Sequence, residues 1–252
     1  MRLIQIITVF AFLCFKVQAQ QHDAIYHYSV MDAMRNGIYQ GEHNIEYLAA
    51  KGDFGLGTYN FLDGELIALD GVFYRIGSDG KVVEETKRKS PFISLVKFKK
   101  DTEITFHFNG TTQELQQKLI TLLPSQNMPY AIKITCSFTE ITTGGAEKIA
   151  SADTTGLAIL MKNRPLYKTK NITGTLVGFY NPPHFSTIDL SPFHFHFIAD
   201  DKTYGGHLVA GLLKGSLTLS LDEKNGYNVE LLKNNQRFRS AKLENNDKKS
   251  SY

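Results

Sequence analysis

Residues 193–197 read Phe-His-Phe-His-Phe, a strict two-residue alternation. An extended strand puts residues i and i+2 on one face, about 6.5–7 Å apart along the chain. His194 and His196 are therefore expected to point one way, while Phe193, Phe195 and Phe197 fill the opposite, buried face. Ala199-Asp200-Asp201-Lys202-Thr203 reads as a turn. The chain should then return antiparallel through Tyr204-Gly205-Gly206-His207, where two glycines let the backbone come close to a bound ion or ligand. Three imidazoles on one hairpin face leave a fourth coordination position open, the pattern of a catalytic zinc site. The alternative is a strand whose two histidines face solvent, with His207 unrelated. Imidazole suits several transition metals, so the spacing alone does not choose the ion.

Most of the remaining chain also reads as strands. Alternating or β-branched and aromatic patterns cover Gly57–Leu69, Val72–Gly77, Phe92–Phe98, Glu103–Phe108, Ala131–Phe138, Gly174–Tyr180 and Leu190–Ile198. Asp63-Gly64, Asp70-Gly71, Asp79-Gly80 and Asn225-Gly226 punctuate them, and Asp70-Gly71 between two apolar runs predicts a tight hairpin. Helices are few, which places the chain in the α+β class. Thr111 with Glu114 makes a capping box, followed by a Leu115, Leu119, Leu122 stripe that stops before Pro124. A shorter helix is expected from Asn44 to Ala50, ending at Gly52. Ala150–Thr155 is the most loop-like internal stretch, and the tail from Glu244 is polar.

The N-terminus points to export. Met1-Arg2 is a short basic start, Leu3–Phe15 is apolar apart from Gln5 and Thr8, and Val17-Gln18-Ala19 fits a cleavage site. The run is too short for a spanning helix, and the residues before Cys14 do not suit a lipid anchor, so no membrane anchor is expected. Residues 1–19 are thus a signal peptide and the mature protein starts at Gln20, periplasmic or secreted. Of two cysteines only Cys136 remains, so no disulfide forms within the mature chain and stability must come from a core. Cys136 lies in an apolar run and reads as an inert buried thiol. The net charge of +3 includes Arg2 and Lys16 of the leader. A near-neutral mature chain gives no argument for nucleic acid or a membrane surface as partner.

Several segments together resemble the α-acetolactate decarboxylases. They are Lys51-Gly52-Asp53-Phe54-Gly55-Leu56-Gly57-Thr58-Tyr59-Asn60-Phe61-Leu62-Asp63-Gly64-Glu65-Leu66, then Leu69-Asp70-Gly71-Val72-Phe73-Tyr74-Arg75 with Ser78-Asp79-Gly80. Further on come Tyr130-Ala131-Ile132-Lys133-Ile134, Gly174-Thr175-Leu176-Val177-Gly178-Phe179, His194-Phe195-His196-Phe197 and Gly205-Gly206-His207. The ordered set spans nearly the whole mature chain. The resemblance implies two β-rich halves, a mixed sheet and a partly closed β-barrel, here divided as residues 20–129 and 130–252. It implies conversion of 2-acetolactate to acetoin and carbon dioxide, with a zinc ion (Zn2+) held by His194, His196 and His207. Glu65 would reach the site as the catalytic carboxyl group, with Thr58 nearby. The partner is then a small keto or hydroxy acid, and a homodimer is compatible with the resemblance. A cupin also carries His-x-His, but usually with a Glu about four residues on, where Asp200 and Asp201 stand here.

The chemistry of that reaction suits these residue types. Losing carbon dioxide from a β-keto acid leaves an electron pair, which a Lewis acid at the keto and hydroxyl oxygens stabilises. A carboxyl group then returns a proton to carbon. Glu65 follows the Asp63-Gly64 turn, so its side chain can project into a cleft, although an exposed strand carboxylate is the ordinary reading of a glutamate. Two departures stand out. The resemblance implies an arginine after the strand ending at Phe138, and Gly144 occupies that place. An enzyme impaired at its carboxylate-binding side is therefore expected, unless Lys148 or Arg164 reaches in. An arginine introduced at Gly144 is expected to raise activity or leave it unchanged. The second departure concerns a C-terminal carboxylate, for which Glu244 and Asp247 are the candidates. The alternative function is a non-catalytic or substrate-altered zinc-binding relative.

Overall fold

The computed structural model describes residues 23–243, so the leader and the tail carboxylates Glu244 and Asp247 lie outside the described residues. Twelve strands run in chain order: β1 (Ala24–Tyr28), β2 (Phe54–Thr58), β3 (Glu65–Leu69), β4 (Val72–Ile76), β5 (Val82–Glu84), β6 (Phe92–Val96), β7 (Thr102–Thr111), β8 (Tyr130–Gly144), β9 (Leu166–Tyr180), β10 (Phe193–Ala199), β11 (Gly205–Glu223) and β12 (Gly226–Glu230). They form two sheets. The first is mixed, in the order β12-β1-β6-β2-β3-β4-β5, with β12 parallel to β1 and the other pairs antiparallel. The second has the order β10-β9-β8-β11-β7, and β10 also pairs with β11, which closes four strands into a ring. A mixed sheet and a partly closed barrel are thus both present, as expected. Sheet membership crosses the 129/130 position in both directions: β7 adds to the edge of the second sheet and β12 returns to the first.

The local signals act where they were read. Asp70 and Gly71 both hold positive φ (51° and 83°), the type I′ geometry that joins β3 to β4. The Thr111/Glu114 capping box opens the helix Thr112–Leu122, which buries Leu115 and Leu119 against the ring's core. Asn44 caps the helix Ile45–Ala49 by accepting from the Tyr47 N–H. A continuous strand over 57–69 does not form. Asn60–Leu62 is a 3-10 turn in which Phe61 and Leu62 hold positive φ of 61° and 58°. The turn folds β2 back onto β3, so Thr58 stands opposite Glu65. The strand expected from Leu190 starts only at Phe193.

Packing between the sheets positions the site. Ile25, Phe54, Leu56, Ile67 and Val96 of the first sheet pack on Ala131, Val177, Phe179 and Ile198 of the ring. Each buried aliphatic or aromatic side chain of that size contributes roughly 1.5–3 kcal/mol, so this seam fixes the two sheets face to face. At its end Met31, Met34, Leu62, Phe92 and Ala146 form a smaller apolar cluster. It is flanked by Leu157 of the short helix Leu157–Leu160 and by Met161.

Candidate active site

His196 and His207 face each other across β10 and β11, and His194 lies two residues before His196. The three ring centroids are 5.2–5.3 Å apart, and one nitrogen from each lies within 4.8 Å of the others. Phe195 and Phe197 turn the other way into the ring's core. The alternation of phenylalanine and histidine therefore separates a packed face from a chemical face. His194 and His196 are buried and His207 is partly so.

Two of the imidazoles are held by their far nitrogens. His194 Nδ1 donates to Asp189 Oδ1 at 2.9 Å, and His196 Nδ1 donates to the Leu66 carbonyl of β3 at 3.0 Å. A proton on Nδ1 leaves Nε2 with its lone pair for the shared centre. Asp189 is fully buried and also accepts from Ser94 Oγ (2.8 Å) and from the Leu190 N–H (2.6 Å). Burial alone would raise its carboxyl, but His194, His27 and Ser94 outweigh that and keep it below the usual range. Burial, then the neighbouring imidazoles, holds His196 well below the ordinary histidine value. Burial, then His194, does the same for His207. Imidazoles that converge on one point, each offering a nitrogen lone pair, are the arrangement that binds a metal ion. Among the described residues this is the one such cluster of potential ligands.

Glu65 enters the same cavity from the first sheet. The turn before it is pinned by Asp63, which pairs with Arg75 (2.5 Å), with Arg88 and with Lys148 (3.3 Å). Thr58 Oγ1 donates to the Gly64 carbonyl at 2.8 Å, closing the turn, and Thr58 also lines the cavity. Glu65 is only 8% exposed, and its Oε2 lies 3.7 Å from His196 Nε2. Burial pushes its carboxyl up to about 8, against the opposing charge of Arg164. At that value it is mostly protonated at neutral pH and can donate a proton. The cavity holds about 220 Å³ and is lined by Thr58, Glu65, the three histidines and Arg164, with Met34, Leu62, Phe92 and Met161 on its apolar side.

Gly144 pairs with His207 across β8 and β11. The space above it is filled: a Cβ built there would lie 2.8 Å from Nε and 2.9 Å from Cζ of Arg164. Of the two cations considered as replacements, Lys148 is drawn to Asp63, whereas Arg164 lines the cavity. Asp189, Ser94 and the Leu66 carbonyl were not anticipated. Only Asp189 had a signal, an acid five residues before the first histidine. Cys136 is a free thiol in the ring's core, and burial raises its pKa, in keeping with an inert role. No helix among the described residues is long and apolar enough to cross a membrane.

Known proteins share both sequence and fold. The sequence profile of the alpha-acetolactate decarboxylase family matches residues 25–245. The chain is 34% identical over 224 residues to the alpha-acetolactate decarboxylase of Bacillus subtilis strain 168, covering 88% of this chain and 87% of that one. It is also 34% identical to that of Bacillus licheniformis over 226 residues, 89% of this chain and 88% of the other. The crystal structure of the Bacillus subtilis strain 168 enzyme superposes with a TM-score of 0.85 at 33% identity, covering 90% of this chain and 96% of that chain. A Staphylococcus aureus protein of unknown function, described as similar to alpha-acetolactate decarboxylase, has the same fold (TM-score 0.82, 24% identity, 88% and 94% covered).

Proposed function

The chain belongs to the alpha-acetolactate decarboxylase family, and from that premise we propose that it converts 2-acetolactate to acetoin and carbon dioxide with zinc at His194, His196 and His207. The observation that carries the reading is the meeting of a protonated, buried Glu65 with three converging imidazoles in one cavity. A bound zinc would supply a Lewis acid for the substrate's hydroxyl and keto oxygens. The chain's own residues do the rest. The cavity's apolar wall excludes water around the carboxylate that must leave uncharged. When the bond to that carboxylate breaks, its electron pair moves into the neighbouring keto group. Glu65 then delivers its proton to the carbon that lost carbon dioxide, and water restores the proton afterwards. Thr58, opposite Glu65, accepts a hydrogen bond from the substrate hydroxyl in this arrangement.

A non-catalytic relative would have no reason to keep a carboxyl group desolvated beside the ligand cluster, since leaving it there costs stability. The deciding test is acetoin release by purified protein given racemic 2-acetolactate and zinc. No acetoin from zinc-loaded protein would overturn the reading. We also propose that the protein is exported and begins at Gln20. The support is the basic, apolar and Val17-Gln18-Ala19 succession of residues 1–19.

A further inference from the structure

A carboxylate entering this cavity needs a cationic partner, and the cations around it differ in how far they are already engaged. Arg35 pairs with Asp32 at 2.9 Å and donates to the Ser186 carbonyl at 2.7 Å. Lys148 pairs with Asp63. Arg75 and Arg88 are also bound to Asp63. Arg164 is different: among the described residues its guanidinium has neither a hydrogen bond nor an ion pair, yet it lines the histidine cavity. A partly buried, unpartnered guanidinium with five donors is costly to leave alone and is shaped to take a carboxylate bidentately.

Its position follows from register. Gly144 is the last residue of β8 and pairs with Leu166 at the start of β9, so Arg164 arrives just beyond the end of that pair. Its Nε and Cζ lie where a side chain at 144 would begin. Gly144 also pairs with His207 on its other side. The glycine therefore leaves the room through which a neighbouring loop's arginine reaches the ligand cluster.

Resting on the decarboxylase reading, we propose that Arg164 is the residue that binds the substrate's carboxylate, and that Gly144 is a glycine because Arg164 needs its space. The carboxylate loses its charge as it leaves. A guanidinium that holds it therefore stabilises the bound substrate at least as much as the transition state, and its removal should raise KM without lowering kcat.

The test compares two probes on zinc-loaded protein. One is the substrate with its keto group reduced to a hydroxyl, which keeps the carboxylate and cannot decarboxylate. The other is acetoin, which has no carboxylate. Arg164→Gln should bind the reduced substrate about 10- to 100-fold more weakly, bind acetoin unchanged and keep its zinc, with the loss of kcat/KM carried by KM. Gly144→Ala should weaken the reduced substrate in the same direction, because the new Cβ pushes the guanidinium aside. Gly144→Arg should also weaken it, contrary to the gain that an open position would have allowed. Unchanged affinity for the reduced substrate in Arg164→Gln overturns the proposal. So does an equal loss for acetoin. A wild type that binds the reduced substrate but makes no acetoin from 2-acetolactate would instead count against the decarboxylase reading and leave Arg164 standing.

Discussion

Replacing Glu65 with glutamine should remove activity and, in metal-free protein, change how stability depends on pH. The carboxyl group is buried between β2, β3 and the histidines, and burial holds it at about 8 against an ordinary value of 4.5. In the folded state it keeps a proton that the unfolded chain gives up. That contribution is complete below 4.5 and is lost as pH rises through 8. At about 1.4 kcal/mol per pH unit, the gap amounts to about 4 kcal/mol lost between pH 5 and pH 9. Water entering the cavity reduces this, so about 2–4 kcal/mol is expected. Glutamine has nearly the same shape and never ionises. The difference in unfolding free energy between Glu65→Gln and wild type should therefore move in favour of the variant by that amount from pH 5 to pH 9. Denaturant titrations of zinc-stripped proteins at the two pH values measure it. The zinc-loaded variant should release acetoin about a hundred- to ten-thousand-fold more slowly, since the amide has no proton to give. Parallel stability profiles for the two proteins would refute the desolvation argument, and full turnover in the variant would refute the proton-donor assignment.

Replacing His194, His196 or His207 with alanine should strip most of the metal, because two imidazoles hold zinc poorly; elemental analysis after purification without chelators reads this. Stoichiometric zinc in His194→Ala would remove that residue from the ligand set. Asp189→Asn should weaken zinc about 10- to 100-fold in chelator competition, since the neutral amide no longer favours the Nδ1–H form of His194. Unchanged zinc affinity in that variant would reduce Asp189 to a packing role. Mass spectrometry of the native protein should find Gln20 at the N-terminus, and an intact Met1 start would end the export reading.

What could be read from the chain beforehand was what depends on neighbours in sequence. The Phe/His alternation needs only the two-residue period of a strand, the Asp70-Gly71 hairpin only two residues at positive φ, and the Thr111/Glu114 box only a helix's first turn. The 19-residue strand β11 was legible only at its histidine end. Its pairing with β8 shifts register between Leu208 and Ala210 and again after Leu212, so its apolar pattern loses phase. The groups that orient the imidazoles were harder still. The Leu66 carbonyl that holds His196 is 130 residues away, and a carbonyl has no signature in sequence.

Position 144 shows why the site could not be judged from aligned positions alone. A glycine where the family resemblance leads one to expect an arginine reads as a lost charge, and on a single strand it would be one. In a sheet each position has a cross-strand neighbour, and Gly144 pairs with Leu166, two residues past Arg164. The side-chain space that the glycine gives up is entered by that second arginine, from a loop that no motif counts. The quantity tied to the chemistry is charge at a point in the cavity, and two strands can each supply it. On the proposal that Arg164 binds the carboxylate, the function is retained when the residue moves from one strand to the loop before its partner, provided the first strand keeps a residue small enough to let it in.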